Sequence, residues 1–159
     1  MKKRNKDILK LGVGWFVIFS TYLVTYFVPF LMGWNVKKNI LGILLMVFPY
    51  TAGMLYYSIF CKVKSKAFYA LGLLVPCIVE KTLIYLLSAF IYDINPLYFA
   101  SVMQEIVDKG SRIRPVVDFK NGFLNYYPYA ISFFSWGYVF GGLLLSIILT
   151  IFLVRSQNA

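Results

Sequence analysis

Four long stretches of apolar residues dominate the chain, at 11–32, 40–60, 67–92 and 129–154. A spanning helix needs about 20 such residues, because the hydrocarbon layer is ~30 Å thick and a helix rises ~1.5 Å per residue. Each stretch meets that length. The apolar residues run continuously, without the in/out alternation of a lipid-facing barrel strand, so helices are predicted. The first, second and fourth stretches contain no Asp, Glu, Lys or Arg, while the third contains Glu80 and Lys81.

The links at 33–39 and 61–66 are short enough to force antiparallel neighbours, so the first three helices are expected to form a tight up-down-up array. The third link, 93–128, is the only sizeable part outside the predicted membrane spans. Within it, Asn95-Pro96 reads as an N-cap followed by a first-turn proline, and Gly110 as a helix stop. Phe99, Val102, Met103 and Ile106 recur between them at three- and four-residue spacing. That pattern predicts an outer amphipathic helix between the third and fourth spans. Beyond it, an extended segment from Arg112 to Phe119 is expected, closed by the turn signal Asn121-Gly122.

Composition removes the soluble alternative. Of 159 residues, 60% are hydrophobic and 14% charged, against about a quarter charged in an ordinary soluble domain. The expected fold is an all-α membrane protein, a four-transmembrane-helix bundle forming one integral membrane domain over 1–159. The first stretch has a basic start, but Pro29, Phe30 and Leu31 stand where a small-x-small cleavage site would be, so a retained helix is expected.

Charge suggests an orientation. Lys2, Lys3, Arg4, Lys6, Lys10, Lys62, Lys64, Lys66 and Arg155 fall on one side; Lys37, Lys38, Lys109, Arg112, Arg114 and Lys120 fall on the other. The bias is strongest around the first span, where orientation is usually decided, so both termini are expected in the cytoplasm. The net charge of +10 suits an anionic inner leaflet. With no folded basic domain to hold a duplex, no nucleic-acid partner is expected. Trp34, Tyr92, Tyr126, Tyr127 and Tyr129 fall at predicted interfaces, where aromatic rings act as anchors.

Candidate chemistry concentrates mid-membrane. Glu80 and Lys81 sit about halfway along the third span, where a charge costs ~2.5–3.5 kcal/mol on insertion scales and must face the bundle interior or a wet cavity. Cys77 and Tyr85 lie one helical turn either side of Lys81, and Tyr50 and Thr51 follow Pro49 at similar depth in the second span. Pro49 and Pro76 each remove a backbone donor and free a carbonyl. Two readings stay open: a polar pocket or ion path, or a neutralised pair that pins helices together. In the fourth span, Gly137 and Gly141 make a GxxxG pair, and Gly142 with Ser146 repeats the small-xxx-small spacing, either for internal packing or for a partner helix. Arg112 and Arg114 are candidates for contact with an outer lipid phosphate or another anion.

Catalytic templates find little to attach to. The chain has no histidine, which removes His-ligated metals and haem and the Ser-His-Asp arrangement. No Asp lies within a span, no CxxC exists for thiol oxidation, and no Gly-rich phosphate loop is present. Cys61 and Cys77 fall at different depths and are expected to be unpaired. No cofactor, metal or catalytic residue is expected. The sequence fits a non-enzymatic accessory, regulatory or immunity-type subunit of a bacterial-type plasma membrane. It would bind another membrane protein or a lipid-like ligand; besides the lipid bilayer, the expected partner is another membrane protein or, in a homo-oligomer, further copies of the chain. The alternative is a small oligomeric permease or channel centred on Glu80 and Lys81.

Overall fold

The fold, a computed structural model, is described for residues 2–31, 38–61, 65–91, 95–97 and 136–158, with side chains over 6–28, 40–61, 65–86, 95–97 and 137–157. These residues are all-helical apart from short connecting turns: α1 is Lys2–Leu31, α2 Lys38–Phe60, α3 Lys66–Ile91 and α4 Trp136–Asn158. Each contains a run long and apolar enough to cross a membrane: Lys6–Val28, Ile40–Phe60, Lys66–Leu86 and Gly137–Gln157. The first helix begins well before the apolar run at 11, because lysine and arginine are good helix formers and nothing in Lys2 to Lys10 breaks the ladder. The last continues past 154 to Asn158, and 129–135 lie outside the described residues.

The helices alternate in direction. Tyr57 near the end of α2 meets Leu11 near the start of α1 and Gly72 near the start of α3, and Gln157 at the end of α4 reaches the Ser58 carbonyl at 3.4 Å. Neighbour relations depart from the expected sequential array. The backbone of α2 packs closely on α1 and α4, and α3 on α4 and then α1, whereas α2 and α3 pack on each other over a shorter stretch and α1 and α4 scarcely meet. Side-chain size explains this. Tyr50 and Tyr57 of α2, both fully buried, project towards α3 and hold the two backbones apart. On α4, Gly141 and Gly142 leave room for Met46 and Lys81, so that helix comes close to both.

Two buried clusters result. One gathers Tyr57, Cys61, Phe68, Tyr69, Leu73 and Leu153 towards the end where α1 starts and α4 finishes, and runs on through Ile18 to Tyr50 and Cys77 at mid-span. The other, around Leu45 and Tyr138, draws in Tyr22, Tyr26, Met46 and Ile84 towards the opposite end. Large apolar side chains such as Phe16, Ile59, Phe60, Phe140, Leu144 and Phe152 point outwards. An outward apolar shell around a polar-bearing interior belongs in lipid, which solvates such side chains as well as a core does.

Both mid-span prolines sit in unbroken helices, and at Pro76 neighbouring side chains address the loosened backbone. The ring at Pro76 leaves the Gly72 carbonyl without its helical donor. The Tyr57 hydroxyl lies 3.4 Å from that oxygen, and the Trp15 indole donates to the adjacent Leu71 carbonyl at 3.2 Å. Near Pro49, Thr51 Oγ1 lies 3.0 Å from the carbonyls of both Val47 and Phe48. After α3, the Leu97 amide donates to Asn95 Oδ1 at 3.0 Å within a turn over 95–97. The amphipathic segment and the extended stretch beyond it lie outside the described residues.

Candidate polar site within the membrane

Glu80 stands four residues past Pro76 on the face of α3 that looks into the bundle, and only 5% of its surface is exposed. A lone carboxylate there would carry a heavy desolvation penalty, so its partners decide whether the helix is tolerable. Three groups converge on it. The Lys81 ammonium donates to Oε2, the Tyr50 hydroxyl donates to Oε2 at 2.9 Å, and the Tyr138 hydroxyl donates to Oε1 at 2.7 Å. Hydrogen bonds to a charged acceptor are roughly twice as strong as neutral ones. Three helices therefore meet at one carboxylate.

Lys81 is equally enclosed, at 5% exposure. Its Nζ lies 3.7 Å from the centroid of the Tyr138 ring and 5.7 Å from that of Tyr50. Both are within the ~6 Å range in which a ring face attracts a cation. The tyrosines thus act twice: their hydroxyls turn to the carboxylate and their faces to the ammonium. Gly142 supplies the clearance. A Cβ at that position would meet Lys81 Cε at 2.8 Å and Nζ at 3.1 Å. The Cys77 thiol closes one side, adjoining the Tyr50 hydroxyl and lying 3.8 Å from the same Cβ position. On α1, Tyr22 packs beside Tyr138, so every helix borders the site.

Of the residues expected here, Glu80, Lys81, Cys77 and Tyr50 come together. Glu80 and Lys81 pair directly although neighbours on a helix point about 100° apart, because the lysine stem is long enough to curl round to the carboxylate. Thr51 does not take part; its hydroxyl turns to carbonyls of its own helix. Tyr85 is buried but donates to the Pro96 carbonyl at 2.7 Å. The small-residue seam divides by position. Gly141 faces Met46 of α2 and Gly142 faces Lys81, Ser146 is fully buried, and Gly137 is exposed. Ser146 Oγ has no hydrogen-bond partner among the described residues. Arg112 and Arg114 lie outside those residues. Cys61 and Cys77 are both free and buried.

Tyr138 and Tyr22 carry no local signal that singles them out; each is one tyrosine in a span rich in aromatics. Gly142 was recognisable as a close-approach residue, but not as the berth for a lysine. Among the described residues, no three His, Cys, Asp or Glu side chains gather as a metal site would require. Comparison with protein-family models, curated sequences and solved structures finds no match.

Proposed function

We propose that this chain is a non-enzymatic, multi-pass component of a bacterial-type plasma membrane, with both termini in the cytoplasm. It acts as an accessory, regulatory or immunity-type subunit that binds another membrane protein or a lipid-like ligand. One observation carries this reading: the buried charges Glu80 and Lys81 are satisfied by each other and by Tyr50 and Tyr138. Charges closed in this way set the geometry of a bundle, and the apolar outward faces of the helices are the surface left for recognition. The test is purification in mild detergent, with mass by light scattering and a mass-spectrometric inventory of what accompanies the chain. A stoichiometric protein or lipid partner is the expected result. A homo-oligomer carrying nothing would sink the proposal.

That second outcome would favour a small oligomeric permease or channel. Its support is the run of polar groups Tyr22, Tyr138, Glu80, Tyr50 and Cys77 across the bundle. In that case Glu80→Gln abolishes flux in proteoliposomes while assembly is retained.

A further inference from the structure

We infer that the Glu80–Tyr50–Tyr138 cluster is a binding cage for a primary ammonium group, and that Lys81 is its tethered occupant. The inference stands on the shape and charge of the cage and does not require the accessory-subunit reading. One carboxylate and two ring faces converge on a single nitrogen, the arrangement by which proteins recognise ammonium ligands. Both hydroxyls donate to the carboxylate, at 2.9 and 2.7 Å, so rings and carboxylate are held in place by each other as well as by the cation. A structural ion pair needs a carboxylate and a lysine. It does not need two tyrosines from two other helices whose faces lie 3.7 and 5.7 Å from the ammonium.

The occupant also arrives sideways. Consecutive helical residues diverge by about 100°, so Lys81 curls around α3 to reach Glu80 rather than lying along a turn. The missing side chain at Gly142 leaves a berth for Cε and Nζ. The berth, rather than the lysine backbone, defines where the nitrogen sits. The wall between α2 and α3 is where the cage can part, because those backbones pack over the shortest stretch of any of the helix pairs that pack together. Each of the two helices also carries an internal proline close to its cage residues, Pro49 beside Tyr50 and Pro76 one turn before Glu80.

The ligand class follows from the berth: a short, unbranched primary alkylammonium, matching the lysine tip. A tethered occupant competes at an effective concentration of millimolar order or higher, so the intact protein takes such a cation far more weakly than a protein without the lysine.

Lys81→Ala tests this directly. It removes Cγ, Cδ, Cε and Nζ, the four heavy atoms that n-propylammonium supplies in the same order. Thermal unfolding in detergent is followed against n-propylammonium chloride, with n-propanol and sodium chloride at matched concentration as probes. Saturable stabilisation of Lys81→Ala by n-propylammonium alone is expected. The wild-type protein should need at least about tenfold more of it, and Lys81→Ala/Glu80→Gln should not respond. A folded Lys81→Ala protein that treats n-propylammonium like sodium overturns the inference, as does an equal response from the double variant. Should Lys81→Ala yield no folded protein, it is grown and extracted with n-propylammonium throughout; folded protein recovered only then supports the cage, and failure overturns it. A chain that co-purifies with a partner but ignores n-propylammonium keeps the accessory reading and loses this one.

Discussion

One end of the bundle and its middle use the same side chain for different work. Where α1 starts and α4 finishes, tyrosine hydroxyls address backbone: Tyr57 faces the carbonyls of Leu11 and Gly72 at 3.4 Å, and Tyr69 donates to the Cys61 carbonyl at 2.6 Å. Further along, Tyr50 and Tyr138 address the Glu80 carboxylate. The partners of the first set are neutral, and one of them, the Gly72 carbonyl, is the one from which Pro76 has removed a donor. The second set holds a charge that would otherwise be untenable in the bilayer. Buried tyrosine in a membrane bundle is therefore not one kind of residue. Its energetic weight follows from the oxygen it faces.

That contrast can be broken by substitution, with unfolding followed by denaturant titration in mixed micelles. The largest effect belongs to the charged middle. Lys81→Ala leaves Glu80 without its cation and should cost about 3–5 kcal/mol, the usual penalty for breaking a buried pair from one side. Glu80→Gln/Lys81→Met removes both charges at similar volume and should fall well below that. Equal losses would mean that packing, not charge, holds this region together. Next comes sterics at the end where α1 starts. Tyr57 threads between Gly14 and Gly72, and a Cβ at Gly14 would stand 2.1 Å from its hydroxyl oxygen. The ring has no free rotation there, so Gly14→Ala should cost about 3 kcal/mol, at the top of the usual overpacking range.

The two kinds of hydroxyl separate under Tyr→Phe changes. Tyr138→Phe removes a donor from a charged acceptor and should cost about 2 kcal/mol. Tyr57→Phe removes one long bond to a neutral carbonyl and should cost about 0.6 kcal/mol, the average for polar contacts in membrane bundles. Similar losses at both positions would erase the distinction drawn above. At the small end of the scale, Gly12→Ala meets nothing within 4 Å and should change stability by less than about 0.5 kcal/mol.

Hydropathy alone located the four helices, because length and apolarity are what the bilayer imposes on any spanning segment. It also marked Glu80 and Lys81, since a mid-span charge stands out against such a background. The partners were harder. Tyr50 was legible through its place after Pro49, whereas Tyr138 lies 58 residues from Glu80 in sequence and looks like any aromatic near a helix end. Thr51 and Tyr85 matched the expected depth, yet they bond elsewhere, Thr51 within its own helix and Tyr85 to the Pro96 carbonyl. Depth can be counted along a chain; rotation about a helix axis and the order of neighbours depend on side-chain volumes at every contact. The looser packing of α2 on α3 than on α1 or α4 is of that kind. It follows from Tyr50 and Tyr57 on one face and the glycines of α4 on another, and no window of sequence displays both.

The adjacency of Glu80 and Lys81 has a consequence for biogenesis. A chain made from its N-terminus delivers α3 to the bilayer before Tyr138 of α4 has been synthesised. Had the counter-ion been placed on α4, the third helix would have had to insert with an uncompensated carboxylate. With the lysine as the next residue, the segment enters as a net-neutral unit carrying its own counter-charge; Tyr50 of α2 is already present, and Tyr138 arrives afterwards to complete the enclosure. Moving the lysine to the equivalent depth of α4 would preserve the final charge balance and still stall the third helix on its way into the membrane.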